Sequence, residues 1–243
     1  MNYETFAEVY DELMDVQLYD RWLTYTSRYL DESDGELLDL ACGSGVLAVR
    51  LAQEGYRVTG LDLSHEMLEL AFQKAVAADV YLPLIQGNML DLGDIGQYDI
   101  ITCYCDSLCY LPDEKAVGKV FQEVAAHLTE TGIFLFDVHS IYQIDEIFPG
   151  YTFNDQNEEV SFLWKSYVGE HPHSIEHDLT FFVRQEDSGL YHRIEETHKE
   201  RTYPIETYQQ LLKEAGFTSI HITADFDQDI KKDSQRWFFA CRK

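Results

Sequence analysis

The sequence predicts an α/β fold: a doubly wound, seven-stranded, mostly parallel sheet with an antiparallel β meander inserted late in the chain. Three observations carry this. Short apolar runs alternate with helix-period segments from Glu36 to Val138. A glycine turn, "ACGSG", joins the first strand to the helix after it. At about Ile141 the rhythm breaks into long, partly alternating aromatic stretches, and it resumes at about Pro204.

The elements follow in order. Tyr3, Phe6, Tyr10 and Leu13 share one helical face, and a second helical stretch runs from about Tyr19 to Leu30. "DESDG" is a polar turn into strand one, Glu36–Ala41. The helix Val46–Glu54 stops at Gly55, which suits a C-cap. Strand two is Arg57–Asp62, and Ser64 N-caps the helix "HEMLELAFQKAVA". Strand three lies within Tyr81–Gln86 and strand four within Tyr98–Cys105. Helix Asp113–Leu128 starts on an acid that its dipole favours, and strand five is Gly132–Val138.

The inserted stretches are "SFLWKSYVG", "SIEHDLTFFVRQ" and "LYHRIEETHKERTY", with a turn at Glu186–Gly189. Helix Pro204–Ala215, capped by Gly216, and strands at about Thr218–Ala224 and Arg236–Arg242 close the pattern. The short link between those strands implies that one runs antiparallel. The reading is one domain over 1–243. Residues 1–30 form a helical cap, 31–140 and 204–243 the core, and 141–203 the insertion.

Composition limits the partners. The 243 residues are 45% hydrophobic and 14% aromatic, enough for a packed core. Forty-four acids against 18 bases give a formal charge of −26, which disfavours nucleic acid and anionic membrane surfaces as partners. "MNYETFAEVYDELMD" has neither the basic nor the apolar region of a signal peptide, and no apolar run reaches membrane-spanning length. Cys42, Cys103, Cys105, Cys109 and Cys241 form no CxxC, so they read as reduced thiols of a cytoplasmic protein.

The glycine turn asks for a ligand. Gly43 and Gly45 let the backbone approach it, and the helix from Val46 points free N–H groups at it. Asp62, ending strand two, can accept hydrogen bonds from both hydroxyls of a ribose. The glycines alone also satisfy a dinucleotide pattern through Ala48, which keeps an NAD-dependent oxidoreductase open. Asp39 inside strand one suits a cationic or zwitterionic ligand better than a pyrophosphate, and the single insertion in place of a second α/β domain and the terminal strand pair tilt the choice the same way.

With "LLDLACGSG", "VTGLDLS", "GNMLDL" and "YDIITCYCDSLCYL", the chain resembles the class I S-adenosylmethionine-dependent methyltransferases over residues 1–140 and 204–243. The resemblance implies a Rossmann-like methyltransferase fold, S-adenosyl-L-methionine as cofactor and S-adenosyl-L-homocysteine as product. By position, Asp39, Ala41, Gly43 and Gly45 would hold the methionine part and Asp62 the ribose. Leu63 and Met67 would line the adenine slot, with Asn88 and Met89 flanking the ring. Asn88 stands where many relatives carry aspartate. Asp106 would face the methionine end and the acceptor. Tyr10 either packs its helix on the core or lies over the cofactor as a lid.

The expected activity is methyl transfer to a small-molecule acceptor. Asp106, His139, Tyr10 and Tyr203 are the candidate bases, His139 because it ends strand five at the mouth of the site. The rival is a cofactor-binding interaction module without turnover. The insertion, with Trp164, Tyr167, Phe181, Phe182 and Tyr191, serves either as a roof over the acceptor or as a homodimer surface. "CYCDSLC" has no histidine pair at zinc spacing, and His171, His173, His177, His192 and His198 are scattered, so no metal is expected.

Overall fold

The computed structural model of the chain describes residues 16–30, 35–185 and 188–243. Tyr3, Phe6, Tyr10 and Leu13, and with them the first expected helix and the lid reading of Tyr10, lie outside the described residues. So do Glu186 and Asp187 of the expected turn.

Helix α1 (Val16–Ser27) leads into β1 (Glu36–Leu40), α2 (Val46–Gln53), β2 (Arg57–Asp62), α3 (His65–Ala77), β3 (Leu84–Gln86) and β4 (Tyr98–Cys103). A 3₁₀ turn at Ser107–Tyr110 precedes α4 (Glu114–His127) and β5 (Leu128–His139). The insertion is β6 (Thr152–Gln156), β7 (Val160–Val168), β8 (Ser174–Arg184) and β9 (Tyr191–Arg201). Helix α5 (Ile205–Glu214), β10 (Ser219–Ala224) and β11 (Arg236–Arg242) complete the order.

The main sheet runs β10-β11-β5-β4-β1-β2-β3. All of its pairs are parallel except those of β11, which is antiparallel to both β10 and β5. This is the seven-stranded, mostly parallel sheet that the alternation predicts, with the expected reversal in its last strand.

Both faces of the sheet are covered, so the central strands are apolar on both sides. Leu37 and Leu38, adjacent in β1, are both fully buried. Leu38, Phe134, Phe136 and Phe239 pack with α4 and α5. Leu37, Leu135 and Phe238 pack with α1, α2 and α3. Phe136 and Phe239 stack with ring centroids 4.5 Å apart, joining β5 to β11. Ser64 caps α3 by accepting from Met67 N at 3.1 Å, and Asp113 caps α4 by accepting from Ala116 N at 2.9 Å.

Three boundaries and one strand count depart from the sequence reading. Helix α1 begins at Val16, not Tyr19, and β5 begins at Leu128, four residues early. β4 stops at Cys103, because Cys105 and Asp106 take left-handed backbone with φ of 56° and 50°. The insertion has four strands, not three. β6 is polar and exposed along its length, so it carries no period-two signal.

The insertion forms its own antiparallel sheet, β6-β7-β8-β9. Its inner face lies over the carboxyl ends of the parallel strands: Val160, Phe162 and Phe181 pack against Met67 of α3, and Tyr110 meets His198 of β9. Among the described residues, no helix is long and apolar enough to cross a membrane.

Candidate active site

Two groups of residues meet at the carboxyl edge of the sheet, where ligands bind in open α/β folds. The first surrounds the β1–α2 turn. Ala41, Gly43 and Gly45 all have positive φ, at 59°, 54° and 75°. At Gly45 a Cβ would stand 2.6 Å from Cβ of Ala71 on α3, so glycine is needed for the turn to pack. At Gly43 a Cβ would meet nothing within 4 Å, so open space adjoins that backbone.

Asp62 sits beside the same turn. Its Oδ2 accepts from Gly43 N at 2.7 Å and its Oδ1 from Ser64 N at 2.9 Å. The carboxylate therefore caps both crossover turns and keeps further lone pairs for a ligand. Burial raises its pKa, against the pull of those backbone donors. Asp39 is buried and accepts from the Thr102 hydroxyl at 2.7 Å. Burial pushes it up to about 7, and nearby Asp62 adds to the rise. Among the described residues no cation pairs with Asp39.

These features fit a cationic nucleoside ligand. A buried acid lacking a counterion stands beside an open glycine cradle and a second acid, Asp62, at the end of β2. Leu63 is exposed at the rim, while Met67 and Met89 are half-buried. Asn88 is exposed and uses its carbonyl oxygen locally, accepting from Leu90 N at 2.9 Å.

The second group is a buried polar cluster between β4, β5, β11 and the inserted sheet. Asp137 of β5, fully buried, accepts from Trp22 Nε1 at 2.7 Å, from the backbone N of Asp106 at 2.9 Å and from Arg236 Nη1 at 3.1 Å. It thereby ties α1 and β11 to the left-handed turn after β4. Asp106 pairs with Arg236 at 2.6 Å and with His139 Nε2 at 3.4 Å. Burial works to raise the Asp106 carboxyl, but His139 and Arg236 hold it well below the usual carboxylate range. Such a carboxylate binds charge well and takes protons poorly.

Glu200, from β9 of the inserted sheet, reaches His139 Nε2 at 3.3 Å. One coordinating atom from each of Asp106, His139 and Glu200 lies within 4.8 Å of the others. Burial, with Asp106 nearby, pushes Glu200 up to about 7. His177 of β8 stands 3.6 Å from Glu200, beyond hydrogen-bond range. Trp164 Nε1 donates to His177 Nδ1 at 3.1 Å, and a tryptophan N–H can only donate. Burial lowers His177 to about 4, so the ring is neutral near pH 7, and the Ser166 hydroxyl stands 2.7 Å from the same Nδ1.

The structure thus brings Asp39, Gly43, Gly45 and Asp62 to one rim, and Asp106 and His139 together in the cluster. It places Tyr203 elsewhere, in the α4–α5 core with its ring 5.9 Å from that of Tyr208. Sequence reasoning missed Glu200, Arg236 and Asp137, and it left His177 among scattered histidines. The inward face of β9, including Glu196, His198 and Glu200, is polar, so alternation gives no apolar stripe to mark it.

Comparison with known proteins agrees with this geometry. A family model for a methyltransferase domain matches residues 37–132. The chain is 45% identical to a protein of Geobacillus sp. (strain WCH70) described as a candidate methyltransferase, over all of both chains. It is 44% identical to YqeM of Bacillus subtilis (strain 168), which carries the same description, over 100% of this chain and 98% of that one. A crystal structure of an S-adenosylmethionine-dependent methyltransferase from Clostridium acetobutylicum ATCC 824 is similar with a TM-score of 0.86. Their sequences are 28% identical, and the match covers 99% of this chain and 98% of that one.

Proposed function

The chain belongs to the class I S-adenosylmethionine-dependent methyltransferases, and from that premise we propose that it methylates a small-molecule acceptor held between the parallel strands and the inserted sheet. The observation that carries the reading is the pairing of an open cradle at Gly43 with two acids, Asp39 and Asp62, on either side of it.

S-adenosylmethionine supplies a methyl carbon on a positively charged sulfur that leaves as a neutral thioether. The protein's task is alignment and charge. Ala41, Gly43 and Gly45 present backbone to the methionine part, with Asp39 as the buried counter-charge to its ammonium. Asp62 takes the ribose hydroxyls on lone pairs left after capping Gly43 and Ser64. Leu63 and Met67 form one wall of the adenine slot, with Asn88 and Met89 on the other. Asn88 meets the ring through its amide nitrogen, since its oxygen serves Leu90.

Asp106, charged and held by Arg236, faces the reacting end, and His139 lies between it and Glu200. The inserted sheet covers this end and keeps water out. A surface of charge −26 supports a small acceptor over nucleic acid and suits a cytoplasmic protein.

Calorimetry with S-adenosylmethionine and S-adenosylhomocysteine tests the reading. Saturable one-to-one binding of both is expected. Folded protein that binds neither overturns the assignment of the cradle.

A further inference from the structure

We propose that Glu200 of the inserted sheet receives the acceptor, and that the acceptor is an amine docked as its ammonium ion. The inference rests on the methyl-transfer reading above and adds the chemical class that the site takes.

The argument starts from charge. The cluster contains three buried carboxylates, Asp106, Asp137 and Glu200, and one permanent cation, Arg236. Arg236 is committed to the first two, at 2.6 and 3.1 Å. Glu200 is left with the imidazoles of His139 and His177 and the hydroxyl of Tyr110. The basic residues that flank it in β9 are engaged elsewhere: Lys199 with Glu176 at 3.0 Å, Arg201 with the carbonyl of Pro172 at 3.2 Å. Among the described residues, no lysine or arginine pairs with Glu200.

The second observation is independent of that count. Glu200 Oε2 is buried and accepts no hydrogen bond, and neither does His177 Nε2, on the adjoining strand, make one. Unmade hydrogen bonds of this kind are uncommon in a finished interior, and here two lie on adjoining strands beside a groove. An ammonium group supplies both missing items, a positive charge and N–H donors. A neutral hydroxyl supplies a donor without the charge. A groove of about 200 Å³ between the Ser107–Tyr110 turn and the inserted sheet, lined by Tyr110, Pro112, Lys199 and Glu200, gives the acceptor a way in.

The chemistry balances. The ammonium gives one proton to Glu200 Oε2, which frees the nitrogen lone pair. That pair forms the N–C bond to the methyl carbon while the C–S bond breaks, its electrons staying on sulfur. The positive charge passes from sulfur to the N-methylated product, and the proton leaves Glu200 for solvent through the groove. Asp106, already ionised, steadies the ammonium by charge alone.

The test uses the full chain, shown first by calorimetry to bind S-adenosylhomocysteine. Methyl-labelled S-adenosylmethionine is offered with matched probes, benzylamine against benzyl alcohol and cyclohexylamine against cyclohexanol, and with a protein-free cell extract. Labelled products are sorted by retention on a cation exchanger. Label is expected in basic products only. Glu200→Gln is expected to lower kcat/KM by about 100-fold or more, the range for losing a proton acceptor, with cofactor affinity kept and a melting temperature no lower than the parent's. Glu200→Asp keeps the charge and should stay within about tenfold of the parent enzyme. It serves as the control should the glutamine variant misfold.

Label in neutral ethers or esters overturns the proposal. So does label in nothing despite cofactor binding, full activity in Glu200→Gln, or loss of transfer on adding a chelator, which would give the cluster to a divalent cation. Absence of cofactor binding would instead sink the reading of the cradle and leave Glu200 unjudged by that arm; the amine probes, binding competitively with one another to ligand-free protein and losing affinity in Glu200→Gln, then decide it.

Discussion

Asp39 carries a charge problem that a bound cation would relieve. In the folded protein its pKa lies near 7, against an ordinary value of 3.8, because burial opposes its charge and Asp62 repels it. A raised acid is protonated in the fold at pH values where the unfolded chain has already ionised. Folded stability is therefore lost as pH climbs from about 4 through about 7. Glu200, also raised to about 7, adds the same sign. The ligand-free protein should melt lower at about pH 8 than at about pH 5. Asp39→Asn should melt higher than the parent at about pH 8 while binding S-adenosylhomocysteine more weakly. The groups around Asp39 include the Thr102 hydroxyl, Asp62, Cys42, Cys103 and Tyr104, none of them cationic, so ligand binding near neutral pH should release protons. Calorimetry in buffers of different ionisation enthalpy reads that release. At Asp62, replacement by alanine should weaken cofactor binding by about 1–3 kcal/mol, the cost of leaving hydroxyls unpaired. Unchanged affinity would show that the carboxylate serves only as the cap of its two turns.

Within the crossover turn, two glycines separated by one residue should fail in different ways. Gly45→Ala drives a methyl group into Ala71 and forces left-handed backbone on alanine, so destabilisation of about 1–3 kcal/mol is expected in thermal or denaturant unfolding. Gly43→Ala meets no protein atom, so its stability cost is the backbone term of about 1 kcal/mol, and the larger loss should appear in cofactor affinity. These glycines, the cap at Ser64, the acid at the start of α4 and the strand-helix alternation were legible because each is a local demand on backbone or periodicity. The polar cluster was not. Asp106, Asp137, Glu200 and Arg236 come from four elements as far apart as β4 and β11, and only tertiary pairing brings their charges together. The expected β4 runs two residues too far, to Cys105 and not Cys103, since nothing in "CYCD" announces two left-handed residues. β6 escaped because an exposed strand of polar residues looks like a loop.

For the molecule as a whole, a formal charge of −26 sets a background of self-repulsion that folding must overcome. Moderate salt shortens the reach of that repulsion, so the melting temperature should rise between low ionic strength and about 0.15 M, where the screening length is about 8 Å. A flat response would mean that the acids are matched locally, as Glu123 is by Lys119. The place of β11 bears on the order in which the molecule is assembled. It lies inside the sheet, between β5 and β10, and it delivers Arg236 to Asp106 and Asp137. Any intermediate that has laid down the parallel strands without β11 exposes an open sheet edge and two carboxylates with no counterion. The charge balance of that cluster is therefore complete only once β11 has taken its place beside β5.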